Sequence, residues 1–505
     1  MRLTAVCKRI IATDTGNLIL SALSVVALHT ATNGRYGFHR DELATLDDAR
    51  FLAWGYVVYP PVTPFLARVA LALFGPSMVG LRFFGALAAG VAMVLTGLMA
   101  RETGGKRRAQ LVAAWAAATA GPAVFLGSVF QYVSFDYLWW VLAAWIAFRL
   151  VQSEDQRWWL ALGAAVGLGM MTKFTMAFFL AGIAGGIVLT KPRRLLNRWL
   201  WYGAAIAFLI FLPNLVWQIR NHFITLDFLK FIHARDVAQG STNGFLPAQL
   251  WSVTNPVTAP LWIAGLYFLL IKPEGKRYRM IGWMYVIPLA LLFIAKGKPY
   301  YLAPAYPMLL AAGAVWGERW SETLSPVAAH TVRRVVGTSL VVSGIVVVLL
   351  VLPLAPPGSR WWKIADASNG NFNEEFGWPE MASAVIRVRD SLPRDSEPVG
   401  ILAGDAGEAA AINLYGRDRG LPEVISGSNS HWLRGYGNPP PKTVVAAGFL
   451  RGDLETVFES CEAAGHFTIP FGIENIAMGA YTDIFVCRRP RQPWHVFWWQ
   501  IHSFG

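Results

Sequence analysis

Apolar stretches of about twenty residues, the length a helix needs to cross a bilayer, recur along this chain and leave few folds open to it. They lie near residues 12–32, 77–100, 109–128, 134–151, 158–172, 174–190, 199–217, 251–271, 280–295, 299–316 and 333–354. The sequence therefore predicts a polytopic α-helical membrane protein of about eleven transmembrane helices, with the 158–190 region divided around Thr172 and Lys173. Only 15% of the residues are charged, against roughly 25% in soluble domains, and mean hydropathy is +0.41. The 22 Trp suit a chain that meets two membrane–water interfaces. A net charge of +13 would suggest nucleic acid in a soluble protein. Here most of the cations sit in short loops, where they set topology instead.

Those loops alternate. Arg101, Lys106, Arg107 and Arg108 share a side with Lys191, Arg193, Arg194 and Arg198, with Lys272, Lys276, Arg277 and Arg279, and with Arg333 and Arg334. Arg2, Lys8 and Arg9 join them, and the basic start followed by an apolar run reads as a first span rather than a cleaved signal. The positive-inside rule makes this side cytoplasmic. An odd number of spans then puts residues 355–505 outside, beyond a membrane domain of residues 1–354.

The loop 33–75 falls outside as well, and carries Arg40, Asp41, Glu42, Asp47, Asp48 and Arg50 close together. Leu43, Leu46, Ala49 and Ala53 recur at helical spacing and predict a surface helix that Pro60-Pro61 ends. Phe65, Leu66, Val69, Ala70 and Leu73 form a second apolar stripe, too short to span. Another outside loop, 218–250, holds Arg220, His222, Lys230, His233, Arg235 and Asp236. After Pro353 the chain becomes richer in Gly, Pro and charge. PVGILAG, KTVVAAGF and DIFVCRR read as strands, GEAAAINLYG and LETVFESCEAA as helices, giving a small α/β domain. Cys7 stands at the cytoplasmic end; Cys461 and Cys487 are either a disulfide or two buried thiols.

Ionisable groups against spans are costly and are functional candidates. Here they are Asp41, Glu42, Asp136, Lys173, Lys296 and Lys298, all expected at the outer face. Neighbouring helical residues point about 100° apart, so Asp41 and Glu42 are not expected to face one site. A carboxylate in a partly dry cleft can serve as a general base; a solvated acid paired with Arg40 is the plainer reading. Asp136 either orients an acceptor or caps a helix together with Ser134. Lys173 is either a phosphate ligand or a snorkelling lysine at a turn. KGKPYYLAPAYP places two lysines and Tyr301 on the side where lysines are not expected, which argues for phosphate binding over simple anchoring. GDAGEA lacks the spacing of a nucleotide loop. No His/Cys cluster has metal-ligand spacing; a divalent cation at the acids is left open.

FHRDELATLDDARFLAWGYVVYPPVTPFLARV, GLGMMTKFTMAFF, KGKPYYLAPAYPMLLAAGA, GDAGEAAAINLYG and ISGSNSHW together resemble bacterial glycosyltransferase family 39. That group includes protein mannosyltransferases, the lipid A aminoarabinose transferase and rhizobial galacturonosyltransferases. The resemblance implies a GT-C fold in the bacterial plasma membrane. It also implies inverting transfer of a sugar from a polyprenyl phosphate to an envelope lipid, glycan or protein on the outer face. By the same resemblance Asp41 would be the catalytic carboxylate, Glu42 its support, and Lys296, Lys298 and Tyr301 contacts for the donor phosphate. Lys173 and Asp136 match less distinctive positions. The competing readings are a transporter or flippase of lipid-linked sugars and a non-catalytic glycan-binding membrane protein.

Overall fold

The computed structural model describes residues 13–393, 398–479 and 481–505. Cys7, Arg2, Lys8 and Arg9 lie outside the described residues. Each of the eleven apolar stretches contains helix, yet among the described residues only six helices are long and apolar enough to cross a bilayer alone. They are Asp14–Thr32, Met78–Glu102, Tyr132–Gln152, Arg198–Arg220, Pro273–Ile294 and Pro326–Val351. A seventh arises if Phe245–Trp251 and Pro256–Leu270, bent by 93° at their junction, count as one span. The expected number of eleven is therefore not reached by length.

The reason is breakage of apolar runs. Residues 109–128 split into Arg107–Ala118 and Gly121–Leu126, with Pro122 at the start of the second piece. The 158–190 run breaks into Trp158–Met170 and Met176–Thr190 around the Lys173 turn. Glycine lets the helices approach closely: a Cβ on Gly163 would lie 2.0 Å from the Gly203 carbonyl oxygen, and one on Gly265 1.9 Å from that of Leu309. Such small-residue contacts are how apolar helices associate without a hydrophobic driving force.

The bundle has two chemically distinct ends. At one, Arg107 pairs with Asp14, Lys106 with Glu322 and Arg149 with Glu102. Arg277 donates to the Val151 and Gln152 carbonyls there, and Arg194 to that of Leu150. The expected cytoplasmic loops thus converge. The helix Tyr132–Gln152 runs from that end to the opposite one; its 21 residues span about 31 Å at 1.5 Å per residue.

At the opposite end the 33–75 loop folds against the C-terminal domain. His39 caps the helix Arg40–Asp48 by accepting from the Asp41 N–H, while Glu42 accepts from the His39 N–H. Leu43, Leu46 and Ala49 are buried as the spacing predicts. The helix stops at Asp48, well before Pro60; Pro61 instead begins the helix Val62–Phe74. On that second helix Ala67 and Ala70 face inward while Phe65 and Leu73 are exposed, as an outward lipid-facing stripe would be.

The C-terminal domain carries a five-stranded sheet in the order β2-β1-β3-β5-β4. Its strands are β1 Val399–Ala403, β2 Ile425–Ser426, β3 Thr443–Ala447, β4 Phe458–His466 and β5 Asp483–Pro490. β1 pairs parallel with β2 and β3, whereas β5 is antiparallel to β3 and β4. The helices Trp378–Ser391 and Ala406–Tyr415 cover one face, and their core continues into Leu43, Leu46 and Ala67. One expectation is corrected here. LETVFESCEAA is helical only to Val457, and its second half is β4. Glu and Ala favour helix in isolation, but pairing with β5 decides otherwise and sets Cys461 opposite Cys487, to which it is disulfide-bonded.

Candidate active site

A cavity of about 790 Å³ opens at the end of the bundle away from the basic loops. Asp41, Asp136, Lys173, Lys298 and Tyr301 all line it. They come from the helix Arg40–Asp48, the start of Tyr132–Gln152, the 171–175 turn and the 3₁₀ turn Pro299–Ala305 with the lysine before it. The polar wall is completed by the C-terminal domain through Asn429, Ser430 and His431. Phe178, Leu229, Trp251, Val347 and Leu350 make the other wall apolar. Polar groups that converge at one end of a largely apolar pocket are the usual form of a ligand site.

Asp41 keeps a side chain 39% exposed, and its Oδ2 accepts from Gln131 Nε2 at 3.2 Å. Arg40 Nε stands 3.7 Å from the other oxygen, held by Glu374 at 3.3 Å. Asp41 thus retains lone pairs that face the cavity. Asp136 is turned inward: it accepts from Trp140 Nε1 at 3.1 Å and from Thr175 Oγ1 at 2.7 Å. It does not act as a helix cap, since Gln131 holds that position. Its bond to Thr175 fixes the turn that carries Lys173. Lys173 Nζ sits 4.2 Å from the Tyr301 ring centre, 5.3 Å from that of Tyr132 and 5.6 Å from that of Tyr300. An aromatic cage steadies the cation without neutralising it as a carboxylate would.

Lys298 Nζ pairs with Asp236 Oδ2 at 3.0 Å, and Arg235, next to Asp236 on the helix Ile224–Ala238, lines the cavity as well. The structure does not bring Lys296 there. Lys296 is exposed and takes a left-handed φ of 48° in the turn after Ile294, so the chain reverses between the two lysines. Glu42 is also absent from the cavity. It is fully buried, accepts from Arg82 Nε at 2.9 Å and Nη2 at 2.7 Å, and takes the Phe130 N–H at 2.8 Å. Arg82 in turn reaches Glu375 at 3.3 Å. Burial pushes the Glu375 carboxyl up to about 7; Arg82 opposes this and Glu42 adds to it. Two carboxylates sharing one guanidinium favour a proton on one of them.

A second buried network lies at the other end of the same helix. Asp48 accepts from Arg434 at 2.6 Å and from Tyr59 at 2.8 Å, and Asp47 pairs with His431 at 2.9 Å, with Arg50 at 3.0 Å and with Arg434. Burial would raise the Asp47 carboxyl, but hydrogen bonds and charge from His431 and Arg434 outweigh it and hold the group below its usual range. Among the described residues no three His, Cys, Asp or Glu gather to hold a metal ion. Asp136 and Glu42 are instead occupied by N–H and O–H donors.

Sequence reasoning singled out neither Arg235 and Asp236 nor the tyrosines Tyr132 and Tyr300 as site residues. The density of charge in the 218–250 loop was the available signal. The ISGSNSHW motif reaches the site through Asn429, whose φ of 50° is left-handed, a conformation Asn tolerates better than most residues.

The chain is similar to known proteins in sequence and in fold. Residues 58–217 match the family described as dolichyl-phosphate-mannose-protein mannosyltransferase. The lipid A galacturonosyltransferase RgtD of Rhizobium johnstonii is 27% identical over 287 residues, 52% of this chain and 58% of that protein. The undecaprenyl phosphate-alpha-4-amino-4-deoxy-L-arabinose arabinosyl transferase 1 of Pseudomonas fluorescens is 27% identical over 286 residues, 52% of this chain and 50% of that protein. The chain thus matches about half the length of these curated relatives. Among solved structures, ArnT from Cupriavidus metallidurans bound to undecaprenyl phosphate superposes with a TM-score of 0.58 at 16% identity, covering 94% of this chain and 98% of that one. The family match covers residues 58–217, the relatives match about half of this chain, and over nearly its whole length the chain shares the fold of ArnT.

Proposed function

We propose that the protein is an integral-membrane glycosyltransferase that moves a sugar from a polyprenyl-phosphate donor to an envelope acceptor, inverting the anomeric centre. The acceptor is lipid A, another glycan, a lipid or a protein. The observation that carries this reading is the single cavity in which a partly free carboxylate, Asp41, shares a wall system with Lys173, Lys298 and Arg235, next to an apolar side. An isoprenoid tail suits the apolar wall, and the cations suit its phosphate.

The chemistry asks for little more. The donor's phosphate leaves as an anion, so positive groups that meet the growing charge lower the barrier more than they stabilise the bound donor. Asp41 takes the acceptor proton, or draws it away as the hydroxyl or amine attacks the anomeric carbon. Asp136 positions the Lys173 turn through Thr175, and Asp236 positions Lys298. Glu42 contributes by holding the Asp41 helix in place.

Topology follows the same reading. The cavity lies at the far end of a helix about 31 Å long from the basic loops, which supports an exoplasmic site and an exoplasmic domain 355–505. The bond between Cys461 and Cys487 fits an oxidising compartment. The test is transfer in membranes from a bacterium lacking the protein, supplied with wild type or Asp41→Asn. Mass spectrometry follows loss of polyprenyl-phosphate sugar and gain of modified envelope product. Full turnover by Asp41→Asn would remove the assignment of that carboxylate and favour the glycan-binding reading.

A further inference from the structure

Away from the cavity, the outward side of the 33–75 loop forms a second concavity of about 540 Å³. Arg50, Arg68 and Arg417 line it, with Phe51, Leu71, Ala72, Gly75 and Pro76. Arg68, Leu71, Ala72 and Gly75 follow one another at the spacing of a single helical face of Val62–Phe74 and its cap. Arg417 comes from the C-terminal domain, in the turn after the helix Ala406–Tyr415.

Three guanidiniums in one hollow repel one another unless something negative sits between them. Arg50 is largely answered from within the chain: Glu423 accepts from it at 3.2 and 2.9 Å, and Asp47 at 3.0 Å. Arg68 and Arg417 are exposed, and among the described residues neither side chain has an ion pair or hydrogen bond. The apolar part of the hollow is Phe51, Ala72 and Pro76, all exposed, with the half-buried Leu71. The hollow also abuts Met78, where a span begins two residues after Pro76. Free guanidinium beside an exposed aromatic and aliphatic rim, at the entry of a span, has the layering of a lipid: headgroup above, chains below. Arginine presents a planar fork that matches phosphate oxygens in pairs.

We propose that Arg68 and Arg417, supported by Arg50, bind the phosphate of an anionic membrane lipid whose acyl chains lie along Phe51, Leu71, Ala72 and Pro76. One arginine comes from the membrane part and one from the C-terminal domain, so the bound headgroup ties the two together beside the Asp41 helix. Sugar transfer is not a premise of this site, and the test below stands or falls apart from it.

The full chain, purified in detergent, is titrated with phosphatidylglycerol and with phosphatidylcholine, and bound lipid is counted by native mass spectrometry. Wild type is expected to prefer phosphatidylglycerol by roughly tenfold or more, from two surface cations facing one anion. The double variant Arg68→Gln, Arg417→Gln is expected to lose that preference, while Arg333→Gln with Arg334→Gln keeps it. Should the first double variant unfold early, Arg417→Gln alone, in an exposed turn, is expected to lose part of the preference. Equal preference in wild type and the Arg68, Arg417 variant overturns the site. So does full displacement of phosphatidylglycerol by millimolar inorganic phosphate, which would mark a free-anion site instead of a lipid site.

Discussion

Asp41 and Glu42 are adjacent on one helix and meet opposite fates. Asp41 faces a cavity with one amide donor and a distant guanidinium. Glu42 is sealed against Arg82 with every strong acceptor position used. Lys298 and Lys296 divide by place rather than by partner: Lys298 lines the cavity although Asp236 pairs with it, and Lys296 is exposed outside. A charge whose partners are all internal holds the fold; a charge left facing an apolar-walled space is available to a ligand.

The sharpest way to break this division is to neutralise each acid alone. Asp41→Asn is expected to cut transfer by about 10²–10⁴-fold while leaving the unfolding temperature near wild type. Glu42→Gln leaves Arg82 with Glu375 as its one carboxylate partner and is expected to cost about 1–3 kcal/mol of stability, seen as loss of folded protein from detergent extracts. If Asp41→Asn unfolds the protein, or Glu42→Gln slows transfer without destabilising it, the two roles are reversed. Next in size, Lys298→Ala and Lys173→Ala remove charge-assisted contacts of about 1.5–3 kcal/mol, and are expected to weaken donor use by roughly ten- to a hundredfold.

A smaller effect concerns pH. Glu375 is raised from its ordinary 4.5 to about 7, so the folded protein holds a proton there that the unfolded chain releases. Stability from this group is complete below pH 4.5 and is lost as pH rises towards 7. Glu408, pushed up to about 8 by burial with a further push from Asp405, acts with the same sign. The unfolding temperature is therefore expected to fall between pH 5 and 7.5, and Glu375→Gln to flatten that fall by roughly 1 kcal/mol or more. A slope that Glu375→Gln leaves unchanged would place the proton elsewhere. The smallest expectation completes the lysine comparison: Lys296→Ala should alter donor use by less than about twofold, or 0.4 kcal/mol, a surface-level effect.

Much of this was legible in the residues. Apolar length marks the helices, the Thr172–Lys173 break divides two of them, three of the strands stand out, and Asp41, Asp136, Lys173, Lys298 and Tyr301 are candidates that all line the cavity. The number of crossings was not legible, because hydropathy registers an apolar run whether or not a Pro or a sharp bend divides it. β4 was misread because strand pairing with β5 outweighed local helix propensity. Asp236 escaped as a site residue because nothing in its own loop distinguishes a solvated acid from one that positions a distant lysine.

By itself the sequence determined a helical membrane bundle whose basic loops share one end, since apolar length and loop charge are properties of local composition. Only the tertiary structure decided which charges are spent on the fold. That depends on partners such as Arg82, 40 residues from Glu42, and Arg434, 386 residues from Asp48. Burial and pairing energies are set by neighbours in space, and no local pattern encodes who those neighbours will be.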